Sequence, residues 1–304
     1  MSKTMTTLPH TTFKPSASTS TDEYDERPLI KDLLAERSLD IDSVRNAIQS
    51  HPLYDPSRYD DIWILRYVLS HKKDSHAATR AAIATMEFRE TYQLNDLDQR
   101  AMVRHLSGER DPNLLPVHDK LNACSGKYTV LTTLPDKHRG IVMYVFLAKL
   151  DMHKLDEIST QEDLKNSYIQ ANESFYQILD EITRKTGRLT KLLKVVDMDG
   201  MTLGKMNRSY LSKDAAASKE IDDYFPQLLG AMLVANPPKW IGLIWKFCRL
   251  LMPKRIVEKV DFLPSNKEKV QKRLLKFVSK WNLLERYGGE NKEWPPPAAG
   301  SCFE

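Results

Sequence analysis

The second half of this chain alternates: short apolar runs of β-forming residues are separated by long amphipathic stretches, and few folds accommodate that order. Residues 141–147 follow Gly140 and read as a buried strand. Residues 162–188 predict a long helix, with Leu164, Tyr168, Phe175, Ile178, Leu179 and Ile182 on one side and Gly187 as a stop signal. A strand is expected over 194–198, closed by Asp199-Gly200, and mostly helix over 203–224. Further strands fall at 228–235, stopped by Asn236-Pro237-Pro238, and at 260–263, before a basic helix over 266–281. Tyr287-Gly288-Gly289 is a turn, and Pro295-Pro296-Pro297 ends the fold. This is the pattern of an α/β fold with a mostly parallel sheet covered by helices.

The first half carries helical periodicity instead. Ile41, Val44 and Ile48 repeat at helix spacing, as do Ile62, Leu65, Val68 and Leu69, and Ala77, Ala81, Ala84 and Phe88 place small residues on one face. Residues 28–110 are thus expected to form a helical bundle, joined through a linker at Asp111, Pro112 and Pro116 to a second domain over 111–290. The first 21 residues hold eleven Ser or Thr and few large apolar side chains. Such a segment cannot offset its ordering entropy, so 1–27 is expected to be a disordered tail; residues 291–304 are expected to be a Pro-containing tail.

Composition narrows the function classes. Apolar residues make up 41% of 304, enough for a large core. The longest uncharged stretch, 224–238, has 15 residues and three prolines and cannot span a bilayer. No apolar run follows the start, and Cys124, Cys248 and Cys302 are odd in number and far apart, so a reducing, cytoplasmic setting is expected, with no metal site. Residues 237–292 hold 14 Lys or Arg against 5 Asp or Glu. A basic block fits nucleic acid, an anionic membrane or a solvated helix face.

Within that block, residues 240–251 do not resemble an ordinary surface helix. Trp240, Ile241, Ile244, Trp245, Cys248 and Leu251 lie on one face, while Leu243, Phe247 and Leu250 make most of the others apolar. Lys239, Lys246 and Arg249 form the polar stripe, and Lys254, Arg255 and Lys259 continue the charge. A helix this apolar is either central to a core or faces lipid. The basic rim with tryptophan suits the headgroup boundary of an anionic bilayer.

Catalytic signatures are missing: there is no G-x-S-x-G, H-E-x-x-H or C-x-x-C. The run from Gly200 to Met206 has three residues between its glycines, not the four of a phosphate-binding loop, and lacks the metal-binding hydroxyl. Asp197 and Asp199 read more readily as a strand-ending turn than as an acid/base pair.

The order of these features resembles the CRAL-TRIO family, and within it the fungal-type phosphatidylinositol/phosphatidylcholine transfer proteins, over about residues 28–290. Ile64-Leu65-Arg66-Tyr67-Val68-Leu69-Ser70-His71-Lys72-Lys73-Asp74 resembles the family's L-R-F-L-R-A-R-K-F-D, and Val196-Asp197-Met198-Asp199-Gly200-Met201 its I-D-L-K-G-I. Tyr224-Phe225-Pro226-Gln227-Leu228-Leu229-Gly230 with Val234-Ala235-Asn236-Pro237-Pro238 resembles Y-Y-P-E-R-M-G followed by I-I-N-A-P. Leu284-Glu285-Arg286-Tyr287-Gly288-Gly289 resembles the closing L-P-x-x-Y-G-G.

The resemblance implies a non-enzymatic lipid-binding protein, monomeric, with a bound lipid and no other cofactor. Its sheet would floor a pocket containing Met143, Val145, Tyr168, Phe175, Val196, Met198 and Leu229. The 240–251 helix would be a gate built on Trp240, Ile241, Ile244, Trp245, Phe247 and Leu251. Lys239, Lys246, Arg249, Lys254 and Arg255 would meet an anionic membrane, on which the cytoplasmic protein sits peripherally. His71, Lys72 and Lys259 would bind the headgroup. Here the family's Arg-Lys pair reads His71-Lys72, and the carboxylate expected before Tyr224 falls at Ala216. The ligand therefore stays open among phosphatidylinositol, phosphatidylcholine and another hydrophobic molecule such as a sterol, tocopherol or retinoid. The competing reading is an adaptor module acting on a small GTPase or lipid kinase. Nucleic-acid binding ranks last, because the basic block lacks the aromatic-interleaved strands of RNA modules.

Overall fold

The computed structural model describes residues 25–96, 98, 129–133 and 141–292, apart from Lys73, Pro253, Ser265 and Asn282. The linker at 111–116, two of the cysteines and most of both tails lie outside these residues.

Among the described residues the bundle holds helices α1 (Ile30–Glu36), α2 (Ser38–Ile48), α3 (Asp61–Ser70) and α4 (Ser75–Thr91). Asp60 and Asp74 cap α3 and α4 by accepting from the backbone N–H of Trp63 and Ala77, which supplies the acceptor a first turn lacks. Ile41, Val44 and Ile48 pack on Trp63, Ile64 and Val68 as their spacing requires. On α4 the buried stripe is Ala78, Ala82 and Met86, one residue on from the predicted Ala77–Ala81–Ala84 set, which is half-buried.

Next come β1 (Thr129–Thr133), β2 (Ile141–Phe146), α5 (Met152–Ile158), α6 (Gln161–Thr186), β3 (Leu192–Asp197), α7 (Arg208–Ile221), β4 (Leu229–Ala235), α8 (Ile241–Leu251), α9 (Lys254–Val257), β5 (Val260–Phe262) and α10 (Lys267–Leu274). The strands form a sheet in the order β1-β2-β3-β4-β5, with β1 antiparallel and the other neighbours parallel. The predicted strands are all present. The basic helix ends at Leu274 rather than 281. A capping box between Thr160 and Asp163 starts α6, and Gly187 at φ +64° ends it.

Alternate residues of each strand face opposite sides. Val142, Tyr144, Leu193, Val195 and Leu233 pack on α10 and the closing segment around Leu283, Leu284 and Tyr287. Gly289 seals that segment; a Cβ there would meet the Leu283 carbonyl oxygen at 1.8 Å, so only glycine fits. The other face lies under α6 and α7.

The bundle is bound to the sheet domain by buried charge. Arg89 on α4 makes a two-pronged ion pair with Glu173 on α6, at 2.8 and 2.9 Å. Arg66 on α3 meets Asp180 at 3.1 Å and lies over the Tyr176 ring. Residues 25–27, expected in the tail, belong to the fold: Arg27 is buried between Asp25 and Thr190, and Leu189 N–H donates to the Pro28 carbonyl at 2.9 Å.

Candidate functional site

A cavity of about 580 Å³ lies between the sheet and helices α6 and α7, within the range of small-molecule sites. Its walls are mainly apolar: Leu69 from α3, Tyr168 from α6, Leu192 from β3, Leu211 from α7, and Leu229 and Met232 from β4. Met252, Ile256 and Lys259, which follow α8, close one side.

Of the seven residues expected in the pocket, Tyr168 and Leu229 line this cavity. The other five fill the core beside it: Met143 and Phe175 pack in the cluster under α6, Val196 and Met198 in the cluster near α5, and Val145 is buried on the same sheet face. Strand parity could indicate their face but not where the helices stand off from the sheet.

The headgroup candidates separate. Lys72 is exposed at the cavity rim, with φ +39°. Lys259 lines the wall and donates to the Leu229 carbonyl at 2.6 Å; burial lowers its ammonium pKa. His71 terminates α3, its Nδ1 bonded to the Tyr67 carbonyl at 3.0 Å, and is not part of the lining. Position 216 lacks a carboxylate, but Asp214 and Asp222 line the same cavity.

Among the membrane-surface candidates, Lys239, Lys246, Arg249 and Lys254 are exposed. Arg255 is a correction: its guanidinium lies in the cavity wall and is engaged by Asp222 at 2.6 Å and by Asp223 at 2.8 Å, so it faces inward. On α8, Ile244 is half-buried and Trp245 packs edge-on against Phe262 of β5, with ring centroids 5.1 Å apart. Trp240 and Ile241 rest on the cluster containing Met198 and Val234. The side chains of Phe247, Cys248 and Leu251 are outside the description. Leu243 and Leu250 on the outward face are 74% and 75% exposed.

Asp197 is architectural. Its carboxylate is 1% exposed and accepts from Tyr287 Oη at 2.7 Å, Asn236 Nδ2 at 2.8 Å and the Asp199 N–H at 2.9 Å, with Arg286 at 3.0 Å. The Gly200–Met206 run is a turn whose Lys205 donates to the Ala148 carbonyl.

Sequence reading missed two cavity residues. Lys194 interrupts the apolar run of β3, and its parity points it into the cavity. Asp214, on the inner side of α7 near Tyr210, Leu211 and Ala217, accepts from Tyr168 Oη at 2.5 Å. Burial lowers the Lys194 pKa and raises that of Asp214, and each acts on the other through space. A charge inside an apolar strand was the available signal.

A model of the CRAL/TRIO domain matches residues 125–289, more than half of the chain. A CRAL-TRIO domain-containing protein of Saccharomyces cerevisiae is 24% identical over 238 residues, covering 76% of this chain and 71% of that protein. The Sec14 cytosolic factor of Schizosaccharomyces pombe is 23% identical over 251 residues, covering 82% and 80%. The crystal structure of Sfh5 shares the fold, with a TM-score of 0.57 at 14% identity over 86% of this chain and 88% of that one.

Proposed function

The chain belongs to the CRAL/TRIO domain family, and from that premise we propose that it is a lipid carrier, holding one lipid or other hydrophobic ligand in the cavity and exchanging it at membranes. The observation that carries this reading is an apolar-walled cavity of about 580 Å³ close to a helix that exposes Leu243 and Leu250. Burying an acyl chain is worth ~0.8 kcal/mol per CH₂, so such a ligand does not leave for water unaided. Contact with a bilayer lets membrane replace the cavity wall.

The outward face of α8 fits that contact. Leu243 and Leu250 stand beside Lys246 and Arg249, apolar groups to enter the headgroup boundary and cations to meet anionic lipid. Among the described residues no helix is long and apolar enough to cross a membrane, so attachment would be peripheral. Exchange makes and breaks no covalent bond, and the protein acts as a cytoplasmic carrier, not a catalyst.

The test is transfer of labelled lipid between vesicles by a Leu243→Asp/Leu250→Asp variant. Both positions are exposed, unlike Ile244 and Trp245, so fold and lipid retention should survive while transfer falls at least tenfold. Unchanged transfer would remove α8 from the exchange step. Absence of any retained lipid in the unmodified protein would favour the adaptor reading.

A further inference from the structure

Lys194 stands at the centre of the sheet, between Met143 of β2 and Met232 of β4, with its side chain in the cavity wall. Interior strands of a helix-covered parallel sheet normally carry apolar residues there. An ammonium in that place has lost much of its water and needs an acceptor. Among the described residues, no carboxylate lies within ion-pairing distance of it and none of the hydrogen bonds reaches it. Asp214 lines the same cavity, but its carboxylate is held by Tyr168.

Resting on the carrier reading, we propose that the ligand is an acidic amphiphile, a long-chain carboxylate whose head accepts from Lys194 and whose tail lies along Leu192, Leu211, Leu228 and Met232. A single ammonium suits a singly charged carboxylate. A phosphate, with more oxygens to satisfy, calls for an arginine fork or several donors at one point. The guanidinium in this wall, Arg255, is already engaged by Asp222 and Asp223. Lys194 is thus a specificity-determining residue that neither the Lys72 rim nor Lys259 duplicates: Lys72 is exposed and Lys259 is bonded to the Leu229 carbonyl.

The experiment incubates the full chain with phosphatidylcholine vesicles containing palmitate, hexadecanol or phosphatidylinositol, and reads retained lipid by native mass spectrometry. Palmitate and hexadecanol share a chain length and differ in the head. Palmitate should be retained about tenfold more than hexadecanol, the scale of one charge-assisted hydrogen bond. Lys194→Met and the more polar Lys194→Gln should abolish that preference while hexadecanol is still held, which also shows that both variants fold. Equal retention of palmitate and hexadecanol by the unmodified chain overturns the proposal and leaves the carrier reading standing. So does a palmitate preference that survives both substitutions. Preferred uptake of phosphatidylinositol overturns the carboxylate assignment. Retention of no lipid at all overturns the carrier reading and the proposal with it.

Discussion

On β3 the two faces of the sheet can be compared residue by residue. Leu193, Val195 and Asp197 face α10 and the closing segment; Leu192, Lys194 and Val196 face α6 and α7. The first face is filled: Val195 and Tyr144 have no exposure and Leu233 has 1%. The second leaves a cavity. Each face carries one charge, and the two charges are treated oppositely. Asp197 is surrounded by donors from three segments of chain, whereas Lys194 has no acceptor among the described residues. A buried charge whose bonds are all made holds a fold together. One that faces open space is available for something else.

The comparison can be broken most severely at Asp197. Asp197→Ala strands Tyr287, Asn236 and Arg286 and should cost about 3–5 kcal/mol, read from urea unfolding. A loss under about 1 kcal/mol would show that the closing segment does not depend on it. Next come paired truncations: Leu193→Ala on the filled face should cost about 2–5 kcal/mol, and Leu229→Ala, beside space that already exists, about 1–2 kcal/mol. Equal losses would mean that the cavity closes in solution. Lys194→Met should leave the lipid-free protein as stable or more so, by up to about 1 kcal/mol, because an apolar group of similar length replaces a desolvated cation. A marked loss would give Lys194 a structural partner.

A test of pH dependence concerns Lys191, just before β3. Burial brings its amine down to about 8 from an ordinary 10.5, with Lys259 and Arg66 adding to the shift. Between those values the unfolded chain binds more protons, so stability should climb as pH rises from about 8 to 10. Urea midpoints across that range should rise for the native sequence and stay flatter for Lys191→Met. Identical slopes would place Lys191 in water.

Much of the fold was legible because strands and helices differ in period. The runs beginning at Ile141 and ending at Ala235 could hardly be read otherwise, and Gly187 stopped α6 where a left-handed residue was needed. β1 escaped notice because Thr-Val-Leu-Thr-Thr is short and half polar, as an edge strand can be. α10 was read too long because its basic pattern continues past Leu274, and turns take over. At the site, periodicity identified faces but not volume, so Phe175 and Val196 were placed in a cavity they only border. Arg255 read as a surface cation because its carboxylates, Asp222 and Asp223, lie over 30 residues earlier in the chain.

The ion pairs between bundle and sheet domain also bear on how the chain is made. Arg66 and Arg89 emerge from the ribosome well before Asp180 and Glu173, which lie 114 and 84 residues further on. Until α6 is synthesised, each arginine must stay in water or be buried without its counter-charge, and the second is expensive. Pro28 waits likewise for Leu189. Helices α1 to α4 therefore cannot reach their final packing as they emerge. They depend on a helix from the next domain, and nascent-chain folding should reach a stable intermediate only once about residue 190 has cleared the exit tunnel.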